Sequence, residues 1–350
     1  MALDDYLADV GTRRQIMIQR FANGTLEELR PILNNLLEDL TQRVANTGAS
    51  RARLGQLMTE VESLVTAAGG EISQELRQRV LDFAGDEAAF QKSMYREITN
   101  VDTVLPSNEQ LEASIMGQAT SIVVGAQAQT MTIDEMVQRF STSNAKEIKN
   151  AISGGFIAGD TTDQIARRVR QKVQGRTAAQ ARTVVSTAVN HASTQAKEQF
   201  ARQNSDVVRG EKYLATLDSR TTLTCAGFDG QIFPVGEGPK PPLHYNCRST
   251  RVIVPAEGSL IDGLEGERPA VVDGRAQQVS GNKTFRGWLR EQPVEFRDEF
   301  FGKFKNGAEK RLLFDRGGLD PNDFIDPSGA QMTLAELRDK HPLAFQQAGL

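Results

Sequence analysis

Apolar residues recur three and four apart from Leu26 through Leu29, Leu33, Leu36 and Leu40 to Val44. Only an α-helix turns that spacing into one continuous apolar face. Leu54, Leu57, Val61 and Leu64, and then Leu76, Val80 and Phe83, continue the habit. Each stripe needs a partner surface, so residues 1–105 are expected to form a helical bundle that closes on itself. A seam held open for a helix of another subunit is the competing reading. Inside the bundle, Asn23-Gly24 ahead of Thr25 and Glu28 reads as a turn with a capping box, in which each side chain satisfies a backbone donor of the other residue. Pro31 is expected to bend the helix that follows, and Gly48, Gly69-Gly70 and Gly85 read as breaks.

Beyond a hinge at Asn100-Val-Asp-Thr-Val-Leu-Pro106, a middle helical region is expected over 106–175. Ile165, Val169 and Val173 point inward there, after a turn at Gly154–Thr162. A longer helix starts after Gly175, with Ala181, Val184, Val185, Ala188, Ala192 and Phe200 on its apolar face and Arg182, Ser186 and Asn190 four apart on another. From residue 210 the texture changes to short extended runs, 212–217, 231–233 and 250–254, broken by Gly and Pro. Residues 176–255 therefore read as a compact Cys/His-containing domain, 256–283 as a Gly-rich linker and 284–350 as a helical tail anchored by Trp288. The fold class is mainly α with a small α+β domain.

A formal net charge of -4 argues against a surface that is nucleic-acid footprint throughout. The charge is unevenly placed. Nine basic and three acidic residues fall within 161–210, and Arg167, Arg168, Arg170, Lys172 and Arg176 form a strip that could meet DNA phosphates. An ordinary solvated helix face is the alternative. No apolar run is long enough for a bilayer-spanning helix, and the first residues have no leader-like apolar core. Two cysteines are too few for a secreted disulfide scaffold and fit synthesis in a reducing cytosol. No phosphate loop or dinucleotide fingerprint is present.

The densest chemistry lies between Asp218 and Arg248, where the thiols of Cys225 and Cys247, the His244 imidazole, the Asp218 and Asp229 carboxylates and the Arg220 and Arg248 guanidinium groups share a turn-rich stretch. Three readings stay open. Cys225, His244 and Cys247 could bind zinc, with Asp218 or Asp229 as a fourth ligand, because thiolate and imidazole suit that ion. Asp218, Arg220, Cys225, His244 and Arg248 could instead form a salt-bridge and hydrogen-bond web that fixes the loops. Catalysis would need Cys225 as a nucleophile with His244 as its base, or Asp218 and His244 as a hydrolytic pair. His191 and His341 read as satisfied or surface histidines.

The run ARTVVSTAVNHA, then LATLDSRTTLTCAGFDGQIF, then PPLHYNCRST resembles the phage Mu F-like head morphogenesis family. That family's pattern is an Arg-Thr helix followed by D-x-R-T, C, D/N-G and P-P-x-H-x-x-C-R. By this resemblance Arg182, Thr183 and Asn190 take the helix positions. Asp218, Arg220, Thr221, Cys225, Gly230, His244, Cys247 and Arg248 take the loop positions. The tail, from Thr284-Phe-Arg-Gly-Trp288 to Thr333-Leu-Ala-Glu-Leu337, is similar to the segment that often trails such domains, and residues 1–160 match no motif. The resemblance implies a non-enzymatic minor head protein of a tailed phage, present in multiple copies at the portal vertex or head interior. Such a protein would act in head assembly, DNA packaging or delivery, with portal, connector and other head proteins as partners, packaged double-stranded DNA as a further one, and no membrane. A DNA-processing or toxin-like enzyme built on Asp218, Cys225, His244 and Cys247 is the alternative.

Overall fold

The computed structural model describes residues 2–47, 51–124, 127–256, 266–272 and 274–350. Two long helices open the chain, α1 (Ala2–Asn46) and α2 (Arg51–Thr99), and their stripes are buried as the spacing requires, from Leu29, Leu40 and Val44 to Val61, Leu76 and Val80. Neither helix stops at the expected breaks. α1 runs through Asn23-Gly24 and Pro31, and α2 through Gly69-Gly70 and Gly85, while Gly48 lies outside the described residues. The capping box does not form either: Thr25 is a buried mid-helix residue, and Glu28 reaches across to Arg79 of α2 at 2.7 Å. Burial of an unbroken stripe outweighs local turn chemistry here. At Gly69 the missing side chain has a use, because Ser141 of α4 (Ile133–Ala158) occupies the place a Cβ would take.

The helix expected after Gly175 is the centre of the molecule. α5 (Thr162–Lys172) runs into it through a π-helical turn, Val173–Thr177, so Gly175 widens the helix instead of breaking it. In α6 (Ala178–Gln203) every residue from Val184 to Glu198 is buried. Most of these side chains are Ala, Ser, Thr or Val, small enough for neighbours to close in on all sides. Two of the largest buried polar ones are paired: His191 Nε2 lies 3.2 Å from the Ile115 carbonyl, and Lys197 Nζ donates to Thr250 Oγ1 at 2.6 Å. The second face expected for Ser186 and Asn190 is thus interior too.

One core joins side chains of α1 and α2 to others from α3 (Asn108–Gly117), α4 and α6, and a second joins the far halves of α1 and α2 to α4 and α5. The bundle does not close on itself at residue 105; the helices that follow complete it.

Among the described residues, three small antiparallel sheets complete the fold. β1 (Thr120–Val124) and β2 (Gln127–Met131) make a hairpin inside the region read as helical. The expected strand runs appear as β3 (Val208–Leu214), β4 (Ile232–Phe233) and β5 (Thr250–Pro255), ordered β4-β3-β5. The stretch read as a loose linker holds a third pair, β6 (Glu267–Val272) and β7 (Arg275–Ser280), although 257–265 lie outside the described residues. Arg268 explains why this hairpin is fixed. Its guanidinium is buried against Asp229 and the Ala215 carbonyl.

The Cys/His segment and the tail share one core. Tyr213, Cys225 and Cys247 pack in the same cluster as Phe285, Trp288, Phe300, Phe314 and Phe345. Besides Tyr213 of β3 and Cys247 of a turn, this core draws on α7 (Leu223–Phe228) and the tail helices α8 (Phe285–Glu291), α9 (Val294–Gly302), α10 (Gly307–Asp315), α11 (Leu334–Lys340) and α12 (Pro342–Ala348). Trp288 is the anchor expected, with its indole N–H donating to the Val271 carbonyl at 2.8 Å.

Candidate metal centre and the cleft beside it

Two turns carry the chemistry. After β3, the Asp218 carboxylate accepts from the Arg220 backbone N–H at 3.0 Å and the Thr221 hydroxyl at 3.3 Å, folding the chain back on itself. Thr222 then caps α7 by accepting from the Cys225 N–H, which sets Cys225 in the helix's first turn. The second turn follows the cis Pro241–Pro242 peptide and closes when the Cys247 N–H donates to the His244 carbonyl at 3.1 Å, with Asn246 left-handed at φ 56°. α6 holds that turn from behind, since Asn190 Nδ2 donates to the Cys247 carbonyl at 2.9 Å.

These turns bring Cys225, His244 and Cys247 together, with their ligand atoms all within 4.8 Å of one another. Cys225 Sγ lies 3.4 Å from His244 Nε2 and 3.8 Å from Cys247 Sγ. The sulfurs are far outside disulfide range, about 2.05 Å, and both thiols are free. A tetrahedral ion with Zn–S of about 2.3 Å and Zn–N of about 2.05 Å would set edges of roughly 3.8 Å between sulfurs and roughly 3.6 Å between sulfur and nitrogen. Both observed separations fall close to those edges. His244 is also presented as a ligand should be, because Nδ1 lies 2.9 Å from the Tyr245 carbonyl, which fixes the proton there and leaves the Nε2 lone pair facing the thiols. Tyr213, fully buried, donates its hydroxyl to Cys225 Sγ at 3.2 Å.

The protonation of the trio suits a cation. The hydrogen bond from Cys225 lowers the Cys247 thiol to about 6 against the cost of burial, with help from the Leu243 and Ser249 backbone. The Cys225 thiol is pushed up by the same hydrogen bond and by burial, so one proton stays between the sulfurs. Burial disfavours the charged His244 ring, yet the adjacent Cys225 sulfur raises its pKa. A cation would take the place of those protons. A nucleophilic thiol needs the reverse of what Cys225 has, namely access and a lowered pKa. Cys225 is 1% exposed.

Neither carboxylate belongs to the trio. Asp218 takes Arg248 on both oxygens, at 2.5 and 2.8 Å, and Arg220 at 3.4 Å. Asp229 accepts the backbone N–H groups of Ala215 and Phe285, each at 2.7 Å, and pairs with Arg268 at 3.2 Å. Their lone pairs are used in holding the loops. The Cys/His/Cys group, which could hold a metal, and the Asp218–Arg248–Arg220 salt bridges occupy the same two turns. Gly230, at φ +81°, allows the turn after Asp229 that a side chain would strain.

The remaining predicted residues divide by exposure. Asn190 and Thr221 are buried supports, whereas Arg182, Thr183, Arg220 and Arg248 line a cleft between α1, α6 and the two turns, with His244 in its wall. The basic strip fares differently: Arg168 pairs with Asp160 at 2.6 Å, and Lys172 and Arg176 both meet Glu147 of α4. Arg167 and Arg170 remain exposed on α5. Sequence reasoning gave no role to Tyr213 or Arg268. Tyr213 stood in a strand-like run beside the motif, but nothing local marks Arg268.

Residues 146–252 match the family model for the Phage Mu protein F like protein. Over that segment this chain is similar to the Mu F-like phage head proteins. It is 22% identical over 290 residues to the minor head protein GP7 of Bacillus phage SPP1, a match that covers 77% of this chain and 88% of that protein. No solved structure matches the chain. The Mu F-like match holds α5, α6 and both turns, including the whole Cys/His/Cys trio.

Proposed function

We propose that this minor head protein of a tailed phage is made in the host cytoplasm and works in multiple copies at the portal vertex or on the inner face of the head. Portal, connector and other head proteins would be its partners in morphogenesis, packaging or delivery, with packaged double-stranded DNA close by. Cys225, His244 and Cys247 would hold zinc as a staple between α7, the His244–Cys247 turn and the tail core. The observation that carries the zinc assignment is the 3.8 Å and 3.4 Å spacing of the trio, which fits the edges of one tetrahedral site. Bound there, the ion would stabilise the fold by tying segments 22 residues apart in a small core. Asn190, Tyr213 and the Asp218–Arg248 pair orient the ligands around it.

Purified heads of the phage that encodes this chain, probed by quantitative mass spectrometry, test the placement. The protein is expected at a fixed copy number in DNA-free heads and mature particles, and its absence from both refutes the reading. A metal-dependent nicking assay on the purified chain addresses the enzymatic alternative. Turnover abolished by Asp218→Ala would overturn the structural role.

A further inference from the structure

The cleft beside the trio has a volume of about 660 Å³, within the range of pockets that enclose small ligands. Arg182, Arg220 and Arg248 contribute guanidinium groups, and Gln19, Asn23, Thr183, Ser186, Thr222 and Asn246 contribute amides and hydroxyls; among the described residues no carboxylate lines it. Asp218 lies beneath, engaged by Arg248 and touched by Arg220. Arg220 is 75% exposed, which leaves most of its fork free, and Arg182 is exposed on α6. A second observation points the same way. Gln19 Nε2, a donor with no acceptor in its own side-chain nitrogen, is buried without a hydrogen-bond partner. A buried donor without an acceptor, in a wall that also holds three cations, suits a ligand whose acceptors carry negative charge.

From this geometry we infer that the cleft between α1, α6 and the two turns binds phosphate groups of a single nucleic-acid strand. Guanidinium forks match phosphate oxygens two at a time. The concave shape admits one flexible strand and excludes the convex rod of a duplex, and Tyr245 in the same wall offers a ring on which a base can stack. The basic strip on α5 is a weaker candidate because three of its five cations already meet Asp160 or Glu147. The phosphate chemistry and the preference for a single strand stand on the cleft alone; only the expectation that nucleic acid is at hand rests on the placement proposed above.

The test is fluorescence anisotropy of the full-length protein with a labelled 12-nucleotide single strand, the duplex of the same sequence, and inorganic phosphate as competitor. Arg182→Ala with Arg220→Ala removes two exposed cations and leaves Arg248 to hold Asp218. Affinity for the single strand is expected to fall at least tenfold, and the salt dependence of log K to flatten by about 1.4, since each lost phosphate contact on a single strand removes about 0.7. Arg167→Ala with Arg170→Ala, on α5, is the control and is expected to change affinity less than twofold. The inference fails if no phosphate probe binds, if the cleft variant binds as the unaltered protein does, or if the α5 variant loses more. Equal affinity for duplex and strand also overturns it. Incorporation of the cleft variant into heads is read in parallel: normal incorporation with no strand binding by the unaltered chain sinks this inference and leaves the head-protein reading intact.

Discussion

Replacing Asp229 with alanine removes one carboxylate on which three separate parts of the chain converge. It accepts the Ala215 N–H at the end of β3 and the Phe285 N–H at the start of the tail, and it neutralises Arg268 of the β6–β7 hairpin. Both members of the ion pair are essentially without solvent, with side chains 1% and 2% exposed. Taking one partner from a buried pair costs about 3–5 kcal/mol, because the other charge is left unpaired. Each orphaned buried N–H would add about 1–3 kcal/mol, less where water reaches it. These terms share one site and do not add, so the expected loss is about 4 kcal/mol. Arg268→Leu leaves Asp229 buried without its cation, but the carboxylate still accepts the Ala215 and Phe285 N–H groups, so the loss should be the smaller of the two. Urea titration followed by tryptophan fluorescence reads this directly, since Trp288, the single tryptophan, lies in the same core. A loss below about 1 kcal/mol for Asp229→Ala would refute the argument that this carboxylate joins the hairpin and tail to the motif.

Asp218→Asn should cost about 1–3 kcal/mol at pH 7 by leaving Arg248 without its charge partner. Burial works against the Asp218 carboxylate, but Arg248 outweighs it and holds its pKa below the ordinary 3.8. A depressed folded pKa means the contribution is present above the ordinary value and lost as pH falls through the folded one, so the gap between variant and parent should close below about pH 4 in denaturation curves. His191 has the sign of a buried base: burial lowers it to about 4, with the Ile115 carbonyl opposing. Between about pH 6.5 and 4 the unfolded chain therefore takes the proton and the folded one does not, and stability should fall on acidification across that window by an amount on the order of 3 kcal/mol. His191→Gln should flatten that slope, and an unchanged slope would remove His191 as its source. Asn190→Ala should cost about 1–2 kcal/mol and loosen the His244–Cys247 turn, read as faster amide exchange at Cys247 and Ser249.

Periodicity carried the helices because the stripes of α1, α2 and α6 are long enough for burial to enforce them. Turn signals carried much less. Asn23-Gly24, Gly69-Gly70 and Gly85 look like breaks only to a local reading, and the packing of α2 on α4 makes the small residue at Gly69 useful within a helix. The two hairpins were missed for different reasons. Thr120-Ser-Ile-Val-Val carried a readable β-branched run that the surrounding helices masked. Glu267–Ser280 is polar and Pro-containing, and it is held by Arg268 reaching a carboxylate 39 residues away, which no local window contains. At the site, the trio was legible from its residue types, while the exclusion of Asp218 and Asp229 was not. Spacing can place a carboxylate near a thiol but cannot reveal that Arg248 and Arg268 have already claimed it.

Elemental analysis of the full-length protein beside Cys247→Ser tests the metal-centred account most directly. About one zinc per chain, lost in the variant together with a drop in thermal stability, is the result expected of a Cys/His/Cys staple. No metal in the unaltered protein after expression in zinc-replete medium, or zinc retained by Cys247→Ser, would contradict it.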